Sequence, residues 1–500
     1  MTQQYQNYIG GRWVDARSGA RFERENPATG AITGSYPRSQ SEDARDAACA
    51  AAEAQRAWAR LPAPRRGEIL FRAGEILVRK KEQFARELTE EMGKVIKEAR
   101  GDIQEAIDMT YFMAGEGRRL YGQTTPSELP DKFAMSVRAP VGVVGAITPW
   151  NFPMAIPSWK IMPALIAGNA VVFKPSQFAP KSAWNLVKTL EEAGLPPGVL
   201  NLVFGEGAEA GAAIIEHPAV SLISFTGSNA VGTQIAVRCA QLGKPVSLEM
   251  GGKNAIIVLD DADLKLALDG AIWSAFGTTG QRCTAASRII VQDGVYEAFA
   301  EQLVARAKSL RLGDGLDDAT DVGPVVNQQQ LEKIASYMPV GRDEGATLAC
   351  GGGRADGDEL GRGYFFQPTV FVDAKPWMRI AQEEIFGPVT ALIRVGDLDE
   401  AIEVNNRVPY GLSSSIYTRD VNKAFRAVER IDTGLVYVNA GTIGAEVHLP
   451  FGGTRGTGNG HREAGIAALE TFTEWKTVYV DYSGKLQRAQ IDVAGEGMAP

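Results

Sequence analysis

The sequence predicts an α/β fold built on two doubly wound parallel sheets. Three observations carry that prediction. From residue 141 short β-rich runs alternate with helical stretches, and such alternation implies a parallel sheet covered by helices on both faces. A second series of the same kind begins at residue 256. The chain has 500 residues, 45% hydrophobic and 22% charged. That is room for about three domains, and the composition of a globular rather than a disordered chain.

The first 120 residues read as helical after a short extended lead-in. Ser39 and Glu42 have capping-box spacing ahead of an Ala-rich run to Trp58. Pro62 and Pro64 interrupt it. Ile69, Leu70, Ala73, Ile76 and Leu77 then recur at helical spacing, and a further helix is predicted over 98–120. Residues 139–159 carry no charge and are long enough to span a bilayer. Pro140, Pro149, Pro153 and Pro157, with Gly142 and Gly145, would break a membrane helix. The stretch reads instead as a buried strand, a turn and a helix start. First-sheet strands are predicted at 143–147, 170–173, 199–203, 221–225 and 245–248, with helices over 181–193 and 229–241. The second series gives strands at 256–259, 288–291, 370–372, 390–393 and 435–439, and a helix over 295–310. Two strand-like runs, 133–138 and 474–481, fit neither sheet and pair either with each other or with a neighbouring subunit. Residues 482–500 form a polar tail.

Net charge is −8, which argues against a broad nucleic-acid-binding surface. The N-terminus is polar and lacks a signal core, so no membrane partner and a cytoplasmic location are expected. Cys49, Cys239, Cys283 and Cys350 are scattered and form no CxxC pair, which favours a reducing compartment over a disulfide framework. His217, His448 and His461 show no metal-ligand spacing, so no metal site is expected. The 55 glycines exceed the usual share and require tight turns or close approaches of backbone to ligand.

Four segments carry candidate chemistry. Cys283 lies in FGTTGQRCTAAS beside Arg282; it is either a reactive thiol favoured by a nearby cation or a small buried hydrophobe. Glu249 ends the β-run of PVSLEMGGKN, where α/β ligand sites form. It is either a general base of raised pKa or a buried acid paired with a cation. Asn151, in AITPWNFP, either aims its amide at a developing oxyanion or fixes its loop. Phosphate-site candidates are Gly205, Gly207 and Gly211, then Gly227 and Ser228 at a helix start, then Lys174 at a strand end. Each has a turn-glycine or solvated-lysine alternative. Three such endings on neighbouring strands favour a dinucleotide site.

Taken together and in order, TPWNFP, FTGS, LEMGGKN, GQRC and EEIFGPV resemble the aldehyde dehydrogenase superfamily over nearly the whole chain. The resemblance implies an aldehyde dehydrogenase-like fold: a Rossmann-like cofactor domain (1–122 and 141–251) with a five-strand sheet, a catalytic domain (252–448), a small β oligomerisation element (123–140 and 470–482) and a tail (483–500). It implies NAD(P)-dependent oxidation of an aldehyde to a carboxylic acid through a cysteine thiohemiacetal and thioester, in a homodimer or homotetramer. Cys283 matches the nucleophile, Asn151 and the Cys283 N–H the oxyanion site, Glu249 the hydrolytic base, and Lys160 and Glu463 a proton relay to that base. Thr148, Pro149, Trp150, Lys174, Ser176, Gln177, Gly207, Phe225, Gly227, Ser228, Gly251, Glu384 and Phe386 match the cofactor site. Many NAD-selective members carry Glu at the position of Gln177; a neutral Gln would not repel a 2′-phosphate, so NAD or NADP is expected. Arg282 lies in GQRCTAASRIIVQ, which resembles dehydrogenases of carboxylated semialdehydes, the 2-oxoglutarate semialdehyde type among them. Arg282 either pairs with a distal carboxylate of the substrate or braces the loop. The rival activities are a CoA-acylating dehydrogenase, against which Glu249 argues, a thiol esterase without redox chemistry, and a non-catalytic protein of the same fold.

Overall fold

In the computed structural model residues 2–357 and 360–491 are described. The extended lead-in is longer than the sequence suggests, because two antiparallel hairpins precede the first helix: Asn7–Ile9 with Arg12–Val14, and Arg21–Glu25 with Ile32–Pro37. The helix that follows spans Ser41–Arg60. Its cap is shifted one residue from the predicted Ser39–Glu42 pair. The Asp43 carboxylate accepts from the Gln40 N–H at 2.9 Å. Ser39 Oγ instead accepts from Asn7 Nδ2 at 2.8 Å, so a tertiary contact claims it. Helix Ala63–Met92 buries Ile69, Leu70, Ala73, Ile76 and Leu77 as their spacing predicts, and packs along helix Ile96–Glu116.

Five parallel strands form the heart of the first sheet. In space they run Val246–Glu249, Val220–Thr226, Val143–Ile147, Ala170–Lys174, Leu200–Leu202. The N-terminal hairpin extends this sheet antiparallel, Tyr8 opposite Leu202. The uncharged stretch resolves into strand Val143–Ile147, a loop, and helix Ala155–Ala167, all of whose residues are buried. No helix among the described residues is long and apolar enough to cross a membrane.

The second sheet runs Thr347–Cys350, Thr369–Ala374, Val389–Val395, Ala286–Gln292, Asn254–Val258, Ser413–Tyr417, Leu435–Val438. All pairs are parallel except the first. Strand Ser413–Tyr417 went unread in the sequence because its serines mimic a loop. Buried, they satisfy themselves: Ser413 Oγ donates to the Thr442 carbonyl and Ser414 Oγ to Asn405 Oδ1, both at 2.8 Å. The two runs that fit neither sheet pair with each other. Thr473–Asp481 lies antiparallel to Lys132–Pro140, Thr473 opposite Pro140 and Asp481 opposite Lys132, with Gln123–Pro126 on the far edge. Of the tail, Gln487 Nε2 donates to the Pro130 carbonyl at 2.7 Å; residues 492–500 lie outside the described set.

One buried ion pair fixes how the helices meet the first sheet. Lys94 and Asp102 are both fully buried, 2.9 Å apart. The other Asp102 oxygen accepts from the Ala155 N–H at 2.8 Å, and Lys94 Nζ lies 3.6 Å from the centre of the Phe152 ring. The pair therefore pins the loop that carries Asn151 to the helical layer. Removing one partner strands a buried charge. Asp102→Ala is expected to lower unfolding stability by about 3–5 kcal/mol, read from the shift of a urea denaturation midpoint; a loss below ~1 kcal/mol would show that the pair is not a brace.

Candidate active site

Strand ends of one sheet and a strained loop of the other domain meet at Cys283. The thiol sits between helix Leu264–Phe276 and strand Ala286–Gln292. The loop opens with a single turn, Gly277–Gly280, in which Thr278 and Thr279 take φ of 50° and 58°. Left-handed backbone is costly for a β-branched residue, and outside contacts hold it. Glu98 accepts from the Thr278 N–H at 2.8 Å and from its hydroxyl at 3.1 Å. Thr279 Oγ1 donates to the Gly323 carbonyl at 3.0 Å. Behind the cysteine, Asn254 Nδ2 donates to the carbonyls of Cys283 and Ala285 at 2.7 and 3.0 Å. A Cβ at Gly252 would lie 2.7 Å from the Cys283 carbonyl oxygen. The LEMGGKN and GQRC segments are thus one interlocked unit, and the second glycine is there for close approach.

Cys283 lines two cavities. One, of about 170 Å³, is bounded by Trp150, Asn151, Gly227, Ser228, Glu384 and Phe386, with Pro149 and Gly251. Trp150 and Phe386 meet edge to face with ring centres 5.5 Å apart. Glu384 Oε1 accepts from the Gly252 N–H at 3.0 Å, and a Cβ at Gly251 would collide with the Glu384 carboxylate. Ser228 caps helix Asn229–Leu242. Thr226 Oγ1, on the wall of both cavities, is buried without a partner. Aromatic edges, bare glycine backbone, one carboxylate and an unpartnered hydroxyl fit the nicotinamide riboside half of a dinucleotide. The other cavity, about 120 Å³, is lined by Phe152, Trp159, Phe451, Arg282, Glu105 and Glu249, with Glu463 at its edge.

The acids beside the thiol are held out of water. Glu249 is 3% exposed. Apart from the backbone of Gly453, its oxygens have no hydrogen-bond partner. Burial, then the nearby Glu463, push its pKa well above the usual carboxylate range, and Lys160 opposes them. Lys160 is fully buried, ion-paired with Glu463 and 3.0 Å from Ser224 Oγ. Burial, followed by Glu384 and Glu249, pushes the Cys283 thiol up to about 12. Asn151 is 3% exposed, and its side chain makes no hydrogen bond among the described residues.

The other sequence-predicted residues divide. Lys174 is buried and gives its amine to the carbonyls of Pro175 and Gly205 at 2.9 and 3.1 Å; burial lowers its pKa to about 8. Gln177 lines a separate opening with Gly205, Glu206 and Arg38, the last two ion-paired at 2.5 Å. Ser176 Oγ accepts from the Phe178 N–H at 3.2 Å. Gly207 is exposed at the start of a helical turn, Gly207–Gly211, whose far end is buried. Thr148 and Phe225 are buried beneath the site, the Phe225 ring directly under Gly227, and neither borders the 170 Å³ cavity. Arg282 does two things at once. It borders the smaller cavity, and it donates to Thr278 Oγ1 at 2.9 Å and to Glu98 at 3.1 Å. Sequence reasoning missed Glu98, Asp102 and Glu105, all on helix Ile96–Glu116, because acids on an amphipathic helix read as a solvated face.

The pattern of the aldehyde dehydrogenase family matches residues 13–478. The chain belongs to that family. This aldehyde dehydrogenase is 44% identical over 477 residues to the alpha-ketoglutaric semialdehyde dehydrogenase of Bacillus subtilis (strain 168), covering 95% of this chain and 98% of that protein. It is 40% identical to the NADP(+) succinate-semialdehyde dehydrogenase of Escherichia coli (strain K12), covering 95% and 96%. Its fold matches the crystal structure of Staphylococcus aureus betaine aldehyde dehydrogenase in complex with NAD+, with TM-score 0.94, 36% identity and coverage of 96% of each chain. The enzyme is an NAD(P)-dependent oxidoreductase that converts an aldehyde to a carboxylic acid.

With its thiol raised to about 12, the free enzyme holds Cys283 protonated near neutrality. Its alkylation by iodoacetamide, followed by peptide mass spectrometry, is expected to accelerate with pH and show no plateau below about pH 10. A plateau near pH 7 would mean a preformed thiolate.

Proposed function

We propose that this enzyme oxidises a semialdehyde with a distal carboxylate, with Cys283 as nucleophile and Glu249 as base. The single observation that carries the assignment is Cys283 on the shared wall of two cavities, one shaped for a nicotinamide riboside and one enclosing Glu249. Cys283 Sγ attacks the aldehyde carbon as its proton leaves for Glu249. Asn151 Nδ2 and the Cys283 N–H donate to the oxyanion of the thiohemiacetal, which needs donors fixed in advance. A dinucleotide held in the neighbouring cavity would supply the acceptor for the hydride that leaves the thiohemiacetal carbon. Cys283 is left as a thioester. Glu249 accepts a proton from water, the hydroxyl adds to the thioester carbon, and the acid departs as the thiol reforms. A base with an elevated pKa suits both transfers. Lys160 and Glu463, in contact behind Glu249, pass its proton onward.

Trp150, Gly227, Ser228, Gly251, Glu384 and Phe386 hold the nicotinamide end, and Lys174 and Ser176 face the adenine ribose. Thr148, Gly207 and Phe225 shape that site from beneath and beside it. Gln177 admits the 2′-phosphate of NADP. The names of the semialdehyde dehydrogenases it is similar to and the position of Arg282 support an anionic substrate. Exposed Trp475, Tyr479 and Val480 on strand Thr473–Asp481 support assembly into a homodimer or homotetramer through the three-stranded sheet. Four cysteines without disulfides support a reducing, cytoplasmic setting.

Glu249→Gln is expected to slow the first turnover of NAD(P)H and to lose about 100-fold or more in steady-state kcat. A first turnover as fast as that of the wild type would remove Glu249 from the activation of Cys283, and an unchanged kcat would remove it from hydrolysis as well. Gln177→Glu is expected to lower kcat/KM for NADP about tenfold more than for NAD, through charge repulsion. Equal losses would remove Gln177 from cofactor choice.

A further inference from the structure

We propose that Glu105 is a specificity-determining residue on the wall of the substrate cavity, donating a hydrogen bond from its carboxylic acid form to the distal carboxylate of the substrate. The inference rests on the semialdehyde reading above and deepens it. Three features of the cavity support it. Its lining is mostly apolar, with Phe152, Ile156, Trp159 and Phe451 around the thiol. Its one cation among the described residues, Arg282, is already shared with Glu98. Glu105 borders the same space and, unlike Glu98 and Asp102 on its helix, has no hydrogen bond or ion pair among the described residues. A carboxyl group that borders a ligand cavity without a protein partner is left for the ligand.

The surrounding charges decide its form. On the same helix Asp102 and Asp108 face it. Lys94 approaches from the preceding loop, Arg282 from the cysteine loop, and Tyr437 from strand Leu435–Val438. Cys283, Glu249 and Glu463 share the cavity. Lys94 and Arg282 favour its ionised form, but Lys94 is engaged by Asp102 and Arg282 by Glu98, and burial outweighs them. Burial dominates, with Asp102 adding to it, and Glu105 is raised to about 8. Near neutrality it is an acid and a donor. Above that pH it is an anion facing an anion.

The consequence is selectivity that depends on pH. As pH climbs from about 7 to about 9, the protonated fraction of a group titrating near 8 falls about tenfold. The KM of a five-carbon aldehyde ending in a carboxylate should rise by that factor relative to the KM of pentanal. Taking the ratio of the two substrates cancels the titration of Cys283 and Glu249, which both substrates need. In Glu105→Gln, whose amide still donates but does not titrate, the ratio should stay flat across the same range. In Glu105→Ala it should be flat but high already at neutral pH.

The experiment measures this KM ratio from about pH 7 to about pH 9 for the wild type and the two variants, with an ω-amino aldehyde as a third substrate. A ratio that rises in the wild type and is flat in Glu105→Gln supports the proposal. An equal rise in wild type and Glu105→Gln overturns it. So does a wild-type preference for the amino aldehyde that Glu105→Gln abolishes, since Glu105 would then act as an anion. A wild type that oxidises pentanal more efficiently than the carboxylated aldehyde at neutral pH refutes the semialdehyde reading, whereas the slope of the ratio tests Glu105.

Discussion

The contact between Lys160 and Glu463 is the constraint on which the catalytic centre depends. It joins the helix after the first strand of one sheet to a segment 303 residues further on. That segment then folds back across Glu249. The Met250 N–H donates to the Thr457 carbonyl at 2.7 Å, Thr457 Oγ1 donates to the Gly251 carbonyl at 2.9 Å, and Phe451 and Glu463 exchange backbone bonds. Glycines 452 and 458 let the backbone pass within reach of the Glu249 carboxyl and its strand. Without a buried cation, two acids could not be held side by side out of water. With it, Glu463 stays paired and Glu249 is left as the member whose proton is easily exchanged.

The same desolvation sets the thiol. A cysteine among buried carboxyl groups resists ionisation, which protects it from adventitious reaction while no substrate is present. The price is that attack on an aldehyde requires a base at hand, and Glu249 borders the same cavity. Low dielectric also strengthens donors aimed at an oxyanion. One environment thus keeps the nucleophile quiet and makes the oxyanion site effective.

Much of this was legible beforehand. The apolar spacing of helix Ala63–Met92 and the strand runs of the first sheet appear in the sequence because burial imposes a local period. The motifs around Cys283, Glu249, Asn151 and Glu384 were legible because each is short and contiguous, and those around Cys283, Glu249 and Glu384 carry glycines. Strand Ser413–Tyr417 was not legible. Its serines are satisfied by groups at Thr442, Asn405 and Ala440, and no local pattern announces such partners. Ser39 shows the same effect in reverse: it has capping spacing, but Asn7 takes its hydroxyl and the cap falls one residue on, at Gln40 and Asp43.

The sequence by itself determined the architecture, the family, and the residue types at the reacting centre, since these depend on periodicity and on short contiguous motifs. Only the tertiary structure decided which charges meet. Arg282 finds Glu98 across 184 residues, and Glu105 borders the same cavity as the thiol. Phe225 lies under the site rather than on its wall. The reason is physical: charge pairing and desolvation depend on distances between segments far apart in the chain, and those distances exist only once both sheets have closed over the cysteine.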